Sequence, residues 1–392
     1  MDIAICIIAY NRIDSLKRCL YALEQSVYNV SVKLYISVDK SDTDLVERFA
    51  IDYKWLFGEK EVVLHDSNLG LRKHVLSCGD LLEKHDALIV LEDDIWVSKG
   101  FFMYVLQTVD KYRDDEDIAG ISLYNFPISY HSSQPFIPLA VDSDVFLMQN
   151  AQSWGQVWMR KQWFEFKRWY SDNCEEFTEM SHLPKSICSW PKSSWLKYHT
   201  RYCIENNKYF VYPYKSFSTC FSDTGVHTLE SSPRFQAQLY GSTVGRLNLN
   251  PMVVYDSFFE NIKIYEWLNL SPKELCIDYY GDKGNREHMR YWLSREQVPY
   301  KIVQSYGLVM KPYELNVKYN IEGNELFLYD TTISVVNDID ESVVDRQFYY
   351  MYGTKRITTE KIFDEYFGKW KKMILIEIKI LGYIRKLMSY VS

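Results

Sequence analysis

The sequence predicts an α/β fold, a mainly parallel sheet flanked by helices, and three observations carry that expectation. Short continuous apolar runs, Ile3 to Ala9, Val32 to Val38 and Ala87 to Leu91, read as buried strands. Leu16, Leu20 and Leu23 recur at helical spacing after the first run, and a second helical stretch follows from about Leu71 to Lys84. Strand and helix therefore alternate, the order that crossover connections in a parallel sheet produce.

Taken in order, the first strand leads through a turn at Asn11 to Asp14 into a helix that runs to Glu24. The second strand ends at Asp39. A third, Val62 to Leu64, is followed by the turn cluster Asp66-Ser67-Asn68-Leu69-Gly70 and the helix at 71–84. The fourth, Ala87 to Leu91, runs into three consecutive acids, Glu92-Asp93-Asp94. In open α/β sheets the loops after the strands converge on one crevice. The segments after Ala9, Val38, Leu64 and Leu91 are thus predicted to share a site.

Three carboxylates at one strand end repel one another unless positive charge sits among them. A divalent cation with oxygen ligands, carrying a diphosphate on its other side, is the simplest resolution. A nucleoside diphosphate sugar meets that requirement, and a bound metal would stabilise its departing diphosphate as a Lewis acid. Asp94 is the expected direct ligand of Mn2+ or Mg2+, with Glu92 and Asp93 bonding ribose or hexose hydroxyls. Asp39 is placed to accept a hydrogen bond from the base or ribose. Arg12 and Arg72 supply positive charge for phosphates, a task that suits the guanidinium fork. A base for an acceptor hydroxyl is sought in Ser222-Asp223-Thr224-Gly225-Val226-His227, where Asp223 and His227 are the candidates.

Past Gly120 the texture changes. Ile121 to Tyr124 and Val145 to Met148 read as strands, Trp154-Gly155 as a turn, and the stretch from Lys161 to Tyr170 as helical. Phe210 to Tyr212 is a strand stopped by Pro213. Leu275 to Tyr280, Tyr300 to Gln304 and Glu325 to Tyr329 look like short strands, with turns at Gly281, Gly284, Gly307 and Gly323. From Lys369 to Ser392, Ile374, Ile378, Leu381, Ile384, Met388 and Val391 recur at helical spacing beside Lys372, Lys379 and Lys386. Such a basic amphipathic helix fits an anionic membrane surface. It equally fits packing on its own domain or on a second subunit of a homo-oligomer.

Composition narrows the classes. With 392 residues, 47% hydrophobic and 25% charged, the chain has enough material for more than one domain and a large core. A net charge of −7 argues against a general nucleic-acid binder. The eight cysteines form no Cys-x-x-Cys pair, which argues against structural zinc. They read as free thiols of a reducing compartment, and neither a signal peptide nor a membrane span is expected.

In the order in which they occur, several segments resemble those of GT-A type nucleotide-sugar glycosyltransferases, the N-acetylglucosaminyltransferase I-like branch and its bacterial relatives. Ile8-Ala9-Tyr10-Asn11-Arg12 resembles the first strand and turn. Leu91-Glu92-Asp93-Asp94-Ile95 with Ser98-Lys99-Gly100-Phe101-Phe102 resembles the metal-binding acidic motif and the helix after it. Trp154-Gly155-Gln156-Val157-Trp158 resembles a segment beside the acceptor, Trp190 to Trp195 the lead-in to the catalytic base, and Gly225-Val226-His227 a loop closing on the donor. Where the family generally has an Asp after the last tryptophan, this chain has Leu196 and Lys197, neither of which is a carboxylate.

The resemblance implies a metal-dependent inverting glycosyltransferase, hexosyl or N-acetylhexosaminyl, drawing on a nucleotide-sugar donor, with UDP expected. Its acceptor would be a glycan or lipid-linked glycan precursor of bacterial surface polysaccharide. It would be cytoplasmic, or peripheral on the inner face of the membrane. The expected division is 1–125 for the donor half, 126–250 for the acceptor half, 251–345 for an appended mixed or β-rich region and 346–392 for a helical tail. Ala9, Tyr10, Asn68, Asn125 and Trp154 complete the expected substrate-binding set. The missing Asp leaves a second reading, a catalytically silent nucleotide-sugar-binding subunit of a glycan-assembly complex.

Overall fold

The computed structural model describes residues 1–132, 134–221, 223, 233–284 and 289–336, with 376, 379 and 380. Strands β1 (Ile3–Ala9), β2 (Lys33–Val38), β3 (Lys60–Leu64) and β4 (Ala87–Glu92) pair in parallel in the order β3-β2-β1-β4. Between them lie α1 (Ile13–Glu24), α2 (Leu45–Asp52) and α3 (Leu71–Cys78). The helix expected over 71–84 is α-helical only to Cys78, and Gly79–Glu83 tightens into a 3-10 turn.

All seven residues of β1 are buried. Alternation sends Ile3, Ile5 and Ile7 to one face, against Leu16, Leu20 and Leu23 of α1. Ala4, Cys6 and Ile8 face the other way, against Val75, Cys78 and Leu82. Burial on both faces is why the run is apolar without alternation. All eight cysteines are free thiols.

The chain continues through β5 (Ile95–Val97), α4 (Phe101–Tyr112), β6 (Ile118–Ser122), β7 (Val145–Met148), β8 (Gln156–Met159), α5 (Arg160–Asp172), α6 (Lys185–Cys188), α7 (Leu196–Glu205), β9 (Tyr209–Pro213), β10 (Ser218–Cys220) and β11 (Val254–Tyr255). Five of these strands extend the sheet to nine, in the order β11-β7-β9-β6-β8-β4-β1-β2-β3. Strand β8 is antiparallel to both β4 and β6, with Val90 and Ser122 each opposite Gln156. It corrects the sequence reading, which passed from the turn at Gly155 to a helix at Lys161. Its four residues are all buried, and Gln156 satisfies itself locally by accepting from the Trp158 indole at 2.8 Å. A polar residue paid for in that way breaks the apolar signature of a strand.

A four-stranded sheet follows, formed by β12 (Leu275–Ile277), β13 (Tyr291–Ser294), β14 (Tyr300–Tyr306) and β15 (Leu326–Ser334), with helices α8 (Ile264–Leu268) and α9 (Glu314–Lys318). Lys283 ties this part to the segment after β11 through Asp256 and, at 2.8 Å, Glu260. The helix expected over Lys369–Ser392 lies outside the described residues except at 376, 379 and 380. Among the described residues no helix is long and apolar enough to cross a membrane.

Candidate functional site

Strand pairing sets Glu92 opposite Ile8, so the chain leaving β1 faces the acids leaving β4. Arg12 reaches across. One guanidinium nitrogen bonds Asp93 Oδ1, Nε lies 3.4 Å from Asp93 Oδ2, and Nη1 lies 3.3 Å from Asp94 Oδ2. The positive charge that the triplet requires is therefore supplied in part by the protein. Arg12 and Asp93, expected on a phosphate and a hydroxyl, are engaged with each other.

A fourth acid joins them. Strands β5 and β10 form an antiparallel ribbon, and the Phe221 N–H donates to the Asp94 carbonyl at 3.1 Å. This carries Asp223 to the cluster, where its carboxylate accepts from Ser15 Oγ at 2.6 Å and pairs with Arg18. The Arg18 guanidinium also lies 4.2 Å over the Phe221 ring. Sequence reasoning passed over Ser15 and Arg18. Their spacing of three on α1 places them on one helix face, which was the available signal.

Four carboxyl groups thus crowd two guanidiniums. Burial, then repulsion from Asp94 and Asp93, pushes Glu92 up to about 8, against the opposing pull of Arg12 and a hydrogen bond from Trp195. Burial raises Asp93 to about 6 although Arg12 opposes it. Asp94 is also raised, by burial and by Asp223, with Arg12 opposing. Carboxyls held above their ordinary values by burial and mutual repulsion favour a bound cation.

Among the described residues, no group of three or more His, Cys, Asp or Glu side chains is arranged to hold a metal unaided. The donor set fits a cation that arrives with a diphosphate, because such an ion takes one or two carboxylates and completes its shell with phosphate oxygens and water. Asp94 would hold it. Its side chain keeps 13% exposure, and its ion pair with Arg12 is longer than that of Asp93.

The other expected residues reach the same sheet edge in different ways. Asp39 is buried and caps the 66–70 loop, accepting from Leu69 N at 2.8 Å and Gly70 N at 3.0 Å. Gly70 stands at φ 74, a conformation that glycine adopts without strain. The Ala9 carbonyl accepts from Asp39 N, and Tyr10 follows it half-buried. Asn68 Nδ2 donates to the Lys40 carbonyl at 2.9 Å. Arg72 is turned onto the Tyr198 ring, at 4.9 Å. Asn125 Nδ2 donates to the Tyr214 carbonyl, and its buried Oδ1 has no hydrogen-bond partner among the described residues. Trp154 is half-buried against Tyr124 and Phe235, with ring centroids at 4.9 and 5.2 Å. His227 lies outside the described residues.

At the position where the resemblance expects an Asp, Leu196 packs against the aromatic core. Lys197 is buried, and its ammonium donates to the carbonyls of Phe177 at 2.8 Å, Trp190 at 3.0 Å and Cys188 at 3.3 Å. It is a structural pin for the 177–190 segment.

No protein-family model matches the chain, and no curated protein matches it. Weak likenesses to solved structures exist. TarS of S. aureus, as residues 1–349 in complex with UDP-GlcNAc, is 12% identical over 58% of this chain and 60% of that one, with a TM-score of 0.36. The mannosyltransferase PcManGT of Pyrobaculum calidifontis, in complex with GDP-Man and Mn2+, is 11% identical over 41% and 44%, at 0.31. GalNAc-T7 with UDP, GalNAc and Mn2+ is 11% identical over 59% and 46%, at 0.38. The chain spans less than two thirds of each of these proteins. Scores this low carry no argument, and the α/β assignment rests on the sheet itself.

Proposed function

We propose that the protein is a GT-A type glycosyltransferase that uses a metal-bound nucleoside diphosphate sugar, with UDP as the expected nucleotide. The observation that carries this reading is the cluster at the carboxyl edge of β4, where Glu92, Asp93, Asp94 and Asp223 outnumber Arg12 and Arg18. A cation bound there would stabilise the leaving diphosphate. Asp94 is its protein ligand, while Arg12 and Asp93 hold each other as the wall of the site. The donor sugar would extend toward Glu92 and Trp195, and the acceptor would enter past Asn125 and Trp154. Transfer by direct displacement inverts the anomeric centre and calls for a base, for which Asp223 and His227 are the candidates. A glycan or lipid-linked precursor met at the inner membrane face remains the proposed acceptor.

The commitment of Lys197 to three carbonyls, beside Leu196, favours a second reading: a subunit that binds nucleotide sugar without turnover. One experiment separates the two. Purified protein is incubated with Mn2+ and a panel of UDP-sugars, and released UDP is measured beside UDP binding by calorimetry. Binding with slow donor hydrolysis supports the enzyme; binding without release supports the silent subunit. Asp94→Ala is expected to abolish metal-dependent UDP binding, and full retention of that binding would overturn the site.

A further inference from the structure

Arg72 is the anomaly of the crevice. It is half-buried at the start of α3, just past the loop that Asp39 caps, yet among the described residues none of its nitrogens has a hydrogen-bond or ion-pair partner. Nη1 is fully buried in that condition. Its guanidinium lies 4.9 Å over the Tyr198 ring. A cation over an aromatic face is stabilised by the ring but keeps its in-plane N–H donors available. Lys197, near enough to feel the charge of Arg72, is already satisfied by three carbonyls and can offer nothing to a ligand. Tyr170 lies within the same field.

The position connects this cation to the site. Trp195 and Tyr198 are three residues apart at the head of α7, which puts them on one face about a helical turn apart. Trp195 reaches Glu92, and Tyr198 carries Arg72. An unmatched guanidinium thus sits beside the end of the site to which the sugar is assigned. Leaving a half-buried guanidinium unpaired costs free energy, and a carboxylate or phosphate restores it with a forked, charge-assisted pair.

We propose that Arg72 is a specificity residue that recognises an oxyanion, a carboxylate or phosphate, carried by one of the two sugars that meet in this crevice. The inference rests on the donor reading above. Its ligand chemistry has two sources, an acidic donor sugar or an acceptor bearing phosphate.

Wild type, Arg72→Gln and Arg72→Lys are titrated with UDP, UDP-glucose and UDP-glucuronic acid in the presence of Mn2+, then, with UDP bound, with glucose and glucose 6-phosphate. In wild type one anionic probe is expected to bind roughly ten- to a hundredfold more tightly than its neutral partner. The pair that shows the preference identifies the source. Arg72→Gln should bring the ratio of anionic to neutral affinity close to one; Arg72→Lys, which keeps the charge and loses the fork, should retain part of it. No preference in either pair, or one that survives Arg72→Gln, overturns the assignment while the donor reading stands. Failure of wild type to bind UDP removes the donor reading, and the assignment falls with it.

Discussion

Arg12 closes a forked ion pair onto Asp93, joining the loop after β1 to the loop after β4. The two residues are 81 positions apart in sequence and adjacent only because β1 and β4 are neighbours in the sheet. Asp93 is 3% exposed, so Arg12 is what makes its charge tolerable there. Arg12→Ala is therefore expected to destabilise the fold by about 1–3 kcal/mol, the cost of a buried acceptor that loses its donor. Asp93→Asn in the Arg12→Ala background should recover part of that loss. Urea unfolding of the two single variants and the double variant measures the coupling, and strict additivity would show that the pair contributes nothing.

Metal and nucleotide should stabilise the protein only together. On the proposed reading Asp94 is the one protein ligand, so the diphosphate would have to complete the shell. UDP with Mn2+ is expected to raise the melting temperature, by about 2.7 kcal/mol of added stability at a hundredfold excess over Kd. UDP with a chelator, or Mn2+ without nucleotide, should leave it near the baseline. Asp94→Asn should lose the joint effect. A full shift from UDP in the absence of metal would count against a cation-bridged diphosphate.

Strands β1, β2 and β4 and the acidic edge were legible in the sequence for one physical reason. A strand buried on both faces must be apolar throughout, and acids that follow it have nowhere to stand but its end. Strand β8 escaped because its buried Gln156 is satisfied within the strand. The ribbon of β5 and β10 escaped because three-residue strands carry too little pattern. The partners of Asp93 and Asp223 could not be read locally. Each is set by which strands are neighbours, and Arg18 reaches Asp223 across 205 positions. Lys197 is a further case: a lysine in a helix head reads as solvated, whereas this one is drawn inward by three carbonyls.

Acid should destabilise the fold through two buried histidines. Burial pushes His199 down to about 3 and His131 to about 4. The His199 ring stacks on Phe166 at 4.1 Å, and among the described residues neither ring nitrogen has a hydrogen-bond partner. His131 donates from Nε2 to the Ser257 carbonyl at 2.7 Å. An unfolded imidazole titrates near ~6.5. Between that value and the folded ones, the unfolded chain binds more protons, so stability rises with pH. The contribution of each neutral ring is complete above ~6.5 and falls away on acidification by up to about 1.4 kcal/mol per pH unit. His199→Phe should lower the pH slope of urea midpoints between about pH 4 and ~6.5, leaving the part owed to His131 and the opposing part owed to the raised carboxyls of Asp93 and Glu92. An unchanged slope would place the titrating group elsewhere.

Gly155 is expected to be intolerant of any side chain. It stands at φ 96, between Trp154 and the first residue of β8, and a Cβ there would lie 2.8 Å from Ser218 Oγ and 3.3 Å from Leu123 Cβ. Ser218 cannot readily move aside, because its hydroxyl donates to the Trp154 carbonyl at 2.5 Å and its strand pairs with β5 beside the acids. Gly155→Ala therefore combines backbone strain with a clash, at a cost of about 1–3 kcal/mol. The strain should also reach the site, since the same displacement shifts the ribbon that carries Asp223. Paired measurements of urea midpoint and UDP affinity test this. Loss of stability with intact UDP binding would show that the ribbon and the nucleotide site are mechanically independent.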